Sequence, residues 1–295
     1  MFRVRRLLAP FVLCIALLFS EAQAFTIAWL SDTQNYHNAY KPIFDGMTQW
    51  IADNRAALDI RFVFHTGDVV GSWSSEDQWR QARESMGILS SASIPFLTVC
   101  GNHDIGYRMN YANFLKYVLS LRPASMSQEY GDTGSRYELF SANGRDYIFM
   151  GIAFSNRGPS EDEVNWINEV LRQYSSRDAI IITHSYLKKS ADYTTQGKAI
   201  FEKIVKANPN VFLVLCGHCR DISYKNVQLD DDGDGDPDRT VYAILSNFQG
   251  GKAGGGGYMR ILDFRDSDIY IYTYSPYYDS CEYPKGKTEA TVPLP

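Results

Sequence analysis

Residues 94–104 read IPFLTVCGNHD. A short apolar run stops at Gly101-Asn102-His103-Asp104, where an amide, an imidazole and a carboxylate follow one another. Runs of this length and content, rich in β-branched and aromatic residues, read as buried strands. The same grammar recurs outward from this point. "FTIAWL" (25–30) ends in "SDTQ", "IRFVFH" (60–65) in "TGD", "AIIIT" (179–183) in His184, and "VFLVLC" (211–216) in "GHCRD". "YIFMGIA", "VYAILS", "YMRILDF" and "IYIYTYS" add four more runs. Between the earlier runs lie helical patterns. Ile43, Met47, Trp50 and Ile51 share one face over 40–57, and Ser160 with Glu163 opens a helix over 160–174 that carries Val164, Ile167 and Leu171. Alternating strands and helices predict an α/β fold with buried strands. The last three runs follow without helices and predict an antiparallel meander. "AGGGG" (253–257) reads as a mobile loop between two of them.

In open α/β sheets, ligands bind at the carboxyl edge of the strands. Five polar clusters on such an edge can converge, and three of the five histidines (His103, His184, His218) fall in them. Oxygen and imidazole donors without thiolate suit Mn, Fe, Zn or Mg. Paired cations sharing a carboxylate bind phosphate oxygens and activate water.

The ordered set D-x-Q, GD, GNHD, H and GH-x-R resembles the calcineurin-like metallophosphoesterases, from Asp32 to Arg220. The resemblance implies a four-layer α/β/β/α sandwich and hydrolysis of a phosphate mono- or diester. One or two divalent or trivalent ions would activate the attacking water. Carried over by position, Asp32 and Gln34 would hold the first metal. Asp68 would bridge both, and Asn102, His184 and His218 would complete the second site. His103 would act on phosphate or the leaving oxygen. Three positions depart from the pattern. Gln34 stands where His is frequent. Gly71 stands where an acidic residue orients His103, with Asp104 as a substitute to consider. Arg220 replaces the last first-site His, leaving that site with Asp32, Gln34 and Asp68. A guanidinium stays protonated and cannot ligate. Arg220 would either point at phosphate or fill the first position itself. The preferred expectation is weakened first-site binding, nearer one tightly held metal than two. The contrasting reading is a non-catalytic metal- or phosphate-binding domain that kept the fold. His37 and His65 read as structural.

The other features bound the setting. "MFRVRRLLAPFVLCIALLFSEAQA" (1–24) has a basic start, an apolar run and Ala22-Gln23-Ala24, the pattern of a cleaved signal peptide. Residues 25–295 then form one domain, expected to be secreted or periplasmic and without a transmembrane segment. The formal charge is −5. The leader carries three Arg and one Glu, so the remainder stands near −7. No basic face suggests a nucleic-acid partner, and the sequence leaves oligomeric state open. Cys100 and Cys216 read as buried thiols. Cys219 reads as a loop thiol, with a disulfide to Cys281 as the alternative. Asp230, Asp232, Asp234 and Asp236 follow the start of a calcium loop, but the twelfth position is Val241. A solvated acidic hairpin turn is the stronger reading and calcium the alternative.

Overall fold

The computed structural model describes residues 24–121, 128–283 and 289–295. The expected leader therefore lies outside the described residues, apart from Ala24. All nine apolar runs form strands: β1 (Phe25–Leu30), β2 (Ile60–His65), β3 (Phe96–Thr98), β6 (Arg145–Ile152), β7 (Asp178–Thr183), β8 (Val211–Cys216), β10 (Arg239–Asn247), β11 (Met259–Phe264) and β12 (Asp268–Tyr274). Four strands were not read from the sequence: β4 (Gln128–Tyr130), β5 (Ser135–Ala142), β9 (Asp221–Leu229) and β13 (Glu289–Pro293).

They form two sheets. One has the order β13-β12-β11-β1-β2-β3, the other β4-β5-β6-β7-β8-β10-β9. β1, β2 and β3 run parallel in the first; β6, β7, β8 and β10 run parallel in the second. The expected meander is corrected here. β11 and β12 pair antiparallel in the first sheet, but β10 belongs to the second, between β8 and β9. The polar strand β9 folds back on β10 as a hairpin and places it there.

Three apolar clusters stack through the molecule. Phe25, Ile27, Trp29, Phe62 and Phe64 of the first sheet meet Phe149, Ile180, Ile182, Leu213 and Leu215 of the second. Helices α1 (Lys41–Asp53) and α2 (Glu76–Ser91), with the short α4 (Ala112–Tyr117), cover the first sheet through Ile43, Met47, Ile51, Trp79, Met86 and Phe114. Helix α5 (Glu161–Gln173) and the segment from α6 (Thr195–Ile200) to Val205 cover the second through Val164, Ile167, Leu171, Ile200 and Ile204. The two sheets with their covering helices are consistent with the α/β/β/α layering that the resemblance implies. Each such side chain, fully buried, contributes on the order of 2 kcal/mol.

The helix signals act as read. Pro42 sits in the first turn of α1, where a missing N–H costs nothing. Ser160 accepts from the Glu163 N–H at 3.2 Å. The Glu163 carboxylate, however, turns to the Ser135 hydroxyl instead of completing the box. The glycine run is corrected as well. Ala253 through Gly257 all have positive φ, and Gly255–Gly257 are buried. A Cβ on Gly255 would lie 2.7 Å from Tyr36 Oη, and one on Gly256 would lie 2.3 Å from Tyr278 Cε2. Close packing and left-handed backbone demand glycine there. No helix among the described residues is long and apolar enough to cross a membrane.

Candidate metal centre

The parallel strands of both sheets end on one edge. Asp32 follows β1, Asp68 follows β2, and Asn102 opens the short helix α3 (Asn102–Ile105) after β3. His184 follows β7 and His218 follows β8. The two sheets are tied there by His184, whose Nδ1–H donates to the Thr66 carbonyl at 2.8 Å. That bond fixes the tautomer and turns Nε2 inward. The motif glycines are steric necessities. A Cβ on Gly101 would stand 2.2 Å from Asp68 Oδ1, and one on Gly217 2.2 Å from Asp32 Oδ2. Asp32, Asp68 and His218 have φ of 51°, 53° and 69°, a left-handed backbone that costs non-glycine residues energy and gathers at functional sites.

Three donor atoms converge on His184 Nε2, itself the fourth. Asn102 Oδ1 lies 3.1 Å away, His218 Nδ1 3.2 Å and Asp68 Oδ2 3.4 Å. Ligands bonded to one cation at about 2.0–2.2 Å stand roughly 3 Å from each other. Two imidazole nitrogens and two oxygens at these spacings fit a divalent ion of the Mn, Fe or Zn kind. These are the four residues that the resemblance assigned to the second site.

The first position is built differently. Asp32 accepts the His218 backbone N–H at 3.2 Å on both oxygens and also a short bond from the Ser31 hydroxyl. Gln34 Nε2 donates to Asp68 Oδ2 at 3.1 Å, while Gln34 Oε1 is buried without a hydrogen-bond partner. Arg220 is exposed and forms no ion pair with a described residue. Its Cδ lies against Gly250, 3.4 Å from where a Cβ on that glycine would stand. The guanidinium thus does not fill the first position. Gln249, which the sequence reading missed, reaches in from the end of β10 and accepts from Gln34 Nε2 at 2.6 Å.

His103 is exposed at the rim, and its ring Nδ1 meets the Gly71 carbonyl at 2.9 Å. The position that lacks a carboxylate therefore orients the imidazole with its backbone. Asp104 does not substitute. It is fully buried and accepts from the N–H groups of Val69, Val70 and Gly101 at 2.8–3.0 Å, bracing the loop that carries Asp68.

The profile of the family described as calcineurin-like phosphoesterase matches residues 25–219. The chain belongs to that family. The chain is 41% identical over 259 residues to "Uncharacterized protein YvnB" of Bacillus subtilis (strain 168), covering 86% of this chain and 20% of the relative. It thus spans about a fifth of that protein's length. Among solved structures it resembles a dimetal phosphatase from Danio rerio, with a TM-score of 0.63 and 14% identity over 91% of this chain and 98% of that one. It also resembles the purple acid phosphatase PPD1 of yellow lupin (Lupinus luteus), with a TM-score of 0.60 and 13% identity over 92% and 54% of the two chains. A third, the Plasmodium protein GAP50, described as an anchor in the inner membrane complex, has a TM-score of 0.59 and 14% identity over 92% and 89%. At these identities the likeness is one of fold, and a fold carries more than one function.

Charge in the candidate site is concentrated on buried side chains. Burial pulls the His184 imidazole down, but the carboxylates of Asp68 and then Asp32 more than offset this and hold it up at about 9. Burial pushes Asp32 up to about 7, with Asp68 adding to the rise and His184 opposing it. Burial also raises Asp68, yet His184 and the His103 N–H leave it below the usual carboxylate range. His218 is lowered to about 4 by burial and by His184. Such a cluster of negative groups around displaceable protons is suited to a cation.

The remaining expectations sort cleanly. His65 is buried, accepts the Gly67 N–H at 3.1 Å and meets Thr33 Oγ1 at 3.0 Å, a structural role. His37 bonds Asn38 at the surface. Cys100 and Cys216 are buried, and Cys219 and Cys281 are free thiols, so the alternative of a disulfide between them is not seen. The acidic stretch is the turn of the β9–β10 hairpin. Asp230, Asp232 and Asp238 bring carboxylate oxygens within 4.8 Å of one another, so Asp238 replaces Asp234 and Asp236 of the expected set. Asp230, Asp232, Asp234 and Asp238 all accept backbone N–H groups of the turn. The turn is solvent-exposed, as the acidic-hairpin reading expected, and three of its carboxylates also stand at the spacing a cation could bridge, as the calcium alternative would need.

Proposed function

We propose that this chain is an exported metal-dependent phosphoesterase that hydrolyses a phosphate mono- or diester with activated water. The observation that carries the reading is the convergence of Asp68 Oδ2, Asn102 Oδ1 and His218 Nδ1 within 3.4 Å of His184 Nε2. Bound cations would supply Lewis acidity, neutralising phosphate charge and lowering the pKa of water. Asp68 would serve both positions, with its Oδ1 held by the His103 N–H at 2.9 Å. His103, aimed by the Gly71 carbonyl, would donate a proton from Nε2 to the departing alcohol oxygen or hold a phosphate oxygen. Arg220, exposed and without a partner carboxylate among the described residues, would grip the phosphate with its planar fork. Beside Gly250 opens a cavity of about 620 Å³ walled by Lys252, Tyr258, Tyr278 and Tyr283, which the alcohol part of the ester would face. Export rests on the basic start, the apolar run and the Ala22-Gln23-Ala24 site.

The second reading, a metal- or phosphate-binding domain without turnover, draws on the Arg at position 220. Assays separate the two. Purified protein supplied with Mn, Fe, Zn or Mg is offered p-nitrophenyl phosphate and its bis ester. The proposal expects release of p-nitrophenol with at least one metal. Metal bound at the site with neither ester hydrolysed would establish the binding domain instead.

A further inference from the structure

We propose that Gln249 is an oxygen ligand of the first metal position, and that it takes over the role vacated at Arg220. The inference rests on the phosphoesterase reading for its context, but on the geometry of three amide and carboxylate groups for its argument.

Gln249 comes from a segment outside the matched motifs, just past β10, whose carboxyl end lies on the same edge as the other ligands. Its backbone is held at both ends. Its N–H donates to Asn247 Oδ1 at 2.9 Å, and its carbonyl accepts from Asn35 Nδ2 at 3.2 Å. Asn247 in turn donates to the His218 carbonyl at 3.0 Å, so the segment is braced against the second site. The side chain is therefore directed into the centre by a fixed backbone. Its Oε1 lies 2.6 Å from the amide end of Gln34 that is itself 3.1 Å from Asp68 Oδ2.

Gln34 carries the second observation. Its residue is only 4% exposed, and its Oε1 is buried without a partner. A buried carbonyl left unpaired costs on the order of 1–3 kcal/mol. The oxygen and nitrogen of an amide have nearly the same size and shape, so a half-turn exchanges them. After that half-turn the Gln34 oxygen faces the Asp68 carboxylate and the Gln249 carbonyl. Three oxygens would then meet with no proton among them, which is unfavourable until a cation lies between. Spacings of 2.6–3.1 Å are those of oxygens sharing one hard ion. Asp32, buried and held by the His218 backbone N–H, is the remaining carboxylate of the position. Two neutral amide oxygens donate less than an imidazole, so this position binds more weakly than the second.

The test counts metal directly. Purified protein stripped by a chelator is titrated with Mn²⁺, with calorimetry for affinity and electron paramagnetic resonance for spin coupling between neighbouring ions. The proposal predicts two binding events, one tighter, with coupling when both are filled. Gln249→Ala should weaken the weaker event about tenfold or more and spare the tighter one. Gln249→Glu should strengthen the weaker event, since it adds a charged oxygen at the same reach. Arg220→Ala should leave both affinities as they are. Three results overturn the proposal: a single binding event in the parent, two events unchanged in Gln249→Ala, or a loss in Arg220→Ala equal to that in Gln249→Ala. Because the readout is binding, a loaded protein without hydrolysis would refute the proposed activity while leaving this assignment standing.

Discussion

Asp68 is held from three directions: by the His103 N–H on Oδ1, and by Gln34 and His184 on Oδ2. Asn in its place removes the charge that both positions would share. Asp68→Asn is expected to reduce bound metal and lower turnover by at least about a hundredfold. His103→Ala, whose ring touches the Gly71 carbonyl at the exposed rim, should keep metal content near that of the parent and lower turnover alone. Metal analysis beside kinetics separates them, and equal metal loss in both variants would contradict the roles. Protons at the same residues set the pH dependence. His184 stands at about 9, so at neutral pH its Nε2 carries a proton that a cation must displace. Affinity of the second site for Mn²⁺ should fall as pH drops below about 9, by about tenfold per unit, and that of the first site should fall below about 7 as Asp32 takes up its own proton. Titrations at several pH values read this; affinity unchanged between about pH 6 and pH 8 would contradict it.

Elements differ in how plainly the sequence announces them. Strands buried on both faces, such as β7 and β8, are unbroken apolar runs and were legible. β9 was not, because it lies at a sheet edge and alternates half-exposed polar residues, and without it β10 was assigned to the wrong sheet. The second-site residues were legible because each follows a strand within a few residues. Gln249 was not, because its partner Gln34 lies 215 residues away and no short motif links them. Nor was the Gly71 carbonyl, since a backbone acceptor leaves no residue identity to read. The glycine turn before β11 shows the same limit. Its composition suggested freedom, whereas its surroundings enforce close packing. Gly255→Ala places a Cβ 2.7 Å from Tyr36 Oη at φ 122° and should cost about 2 kcal/mol or more. Gly233→Ala, at φ 82° in the acidic turn with nothing within 4 Å, should cost only about 1 kcal/mol. Chemical denaturation of the two variants checks the contrast, and equal losses would show that backbone strain, not packing, governs the turn before β11.

At the scale of the molecule, two sheets packed face to face through aromatic rings bring the ends of seven parallel strands to one edge. Asp32, Asp68 and Asn102 come from the first sheet and His184, His218 and Gln249 from the second, so the centre exists only where the sheets meet. The turn that follows β8 of the second sheet closes over Asp32 of the first through the His218 N–H, at 3.2 Å. If the leader acts as proposed, sequencing the mature protein from its native host should begin at Phe25; a chain that retains Met1 would contradict export. The most direct test of the central claim is the rate of p-nitrophenyl phosphate hydrolysis measured before chelation, after chelation, and after Mn²⁺ is returned. The account predicts that chelation abolishes hydrolysis and that added Mn²⁺ restores it in step with occupancy of the Asp68–Asn102–His184–His218 cluster. A rate that survives complete removal of metal would contradict it.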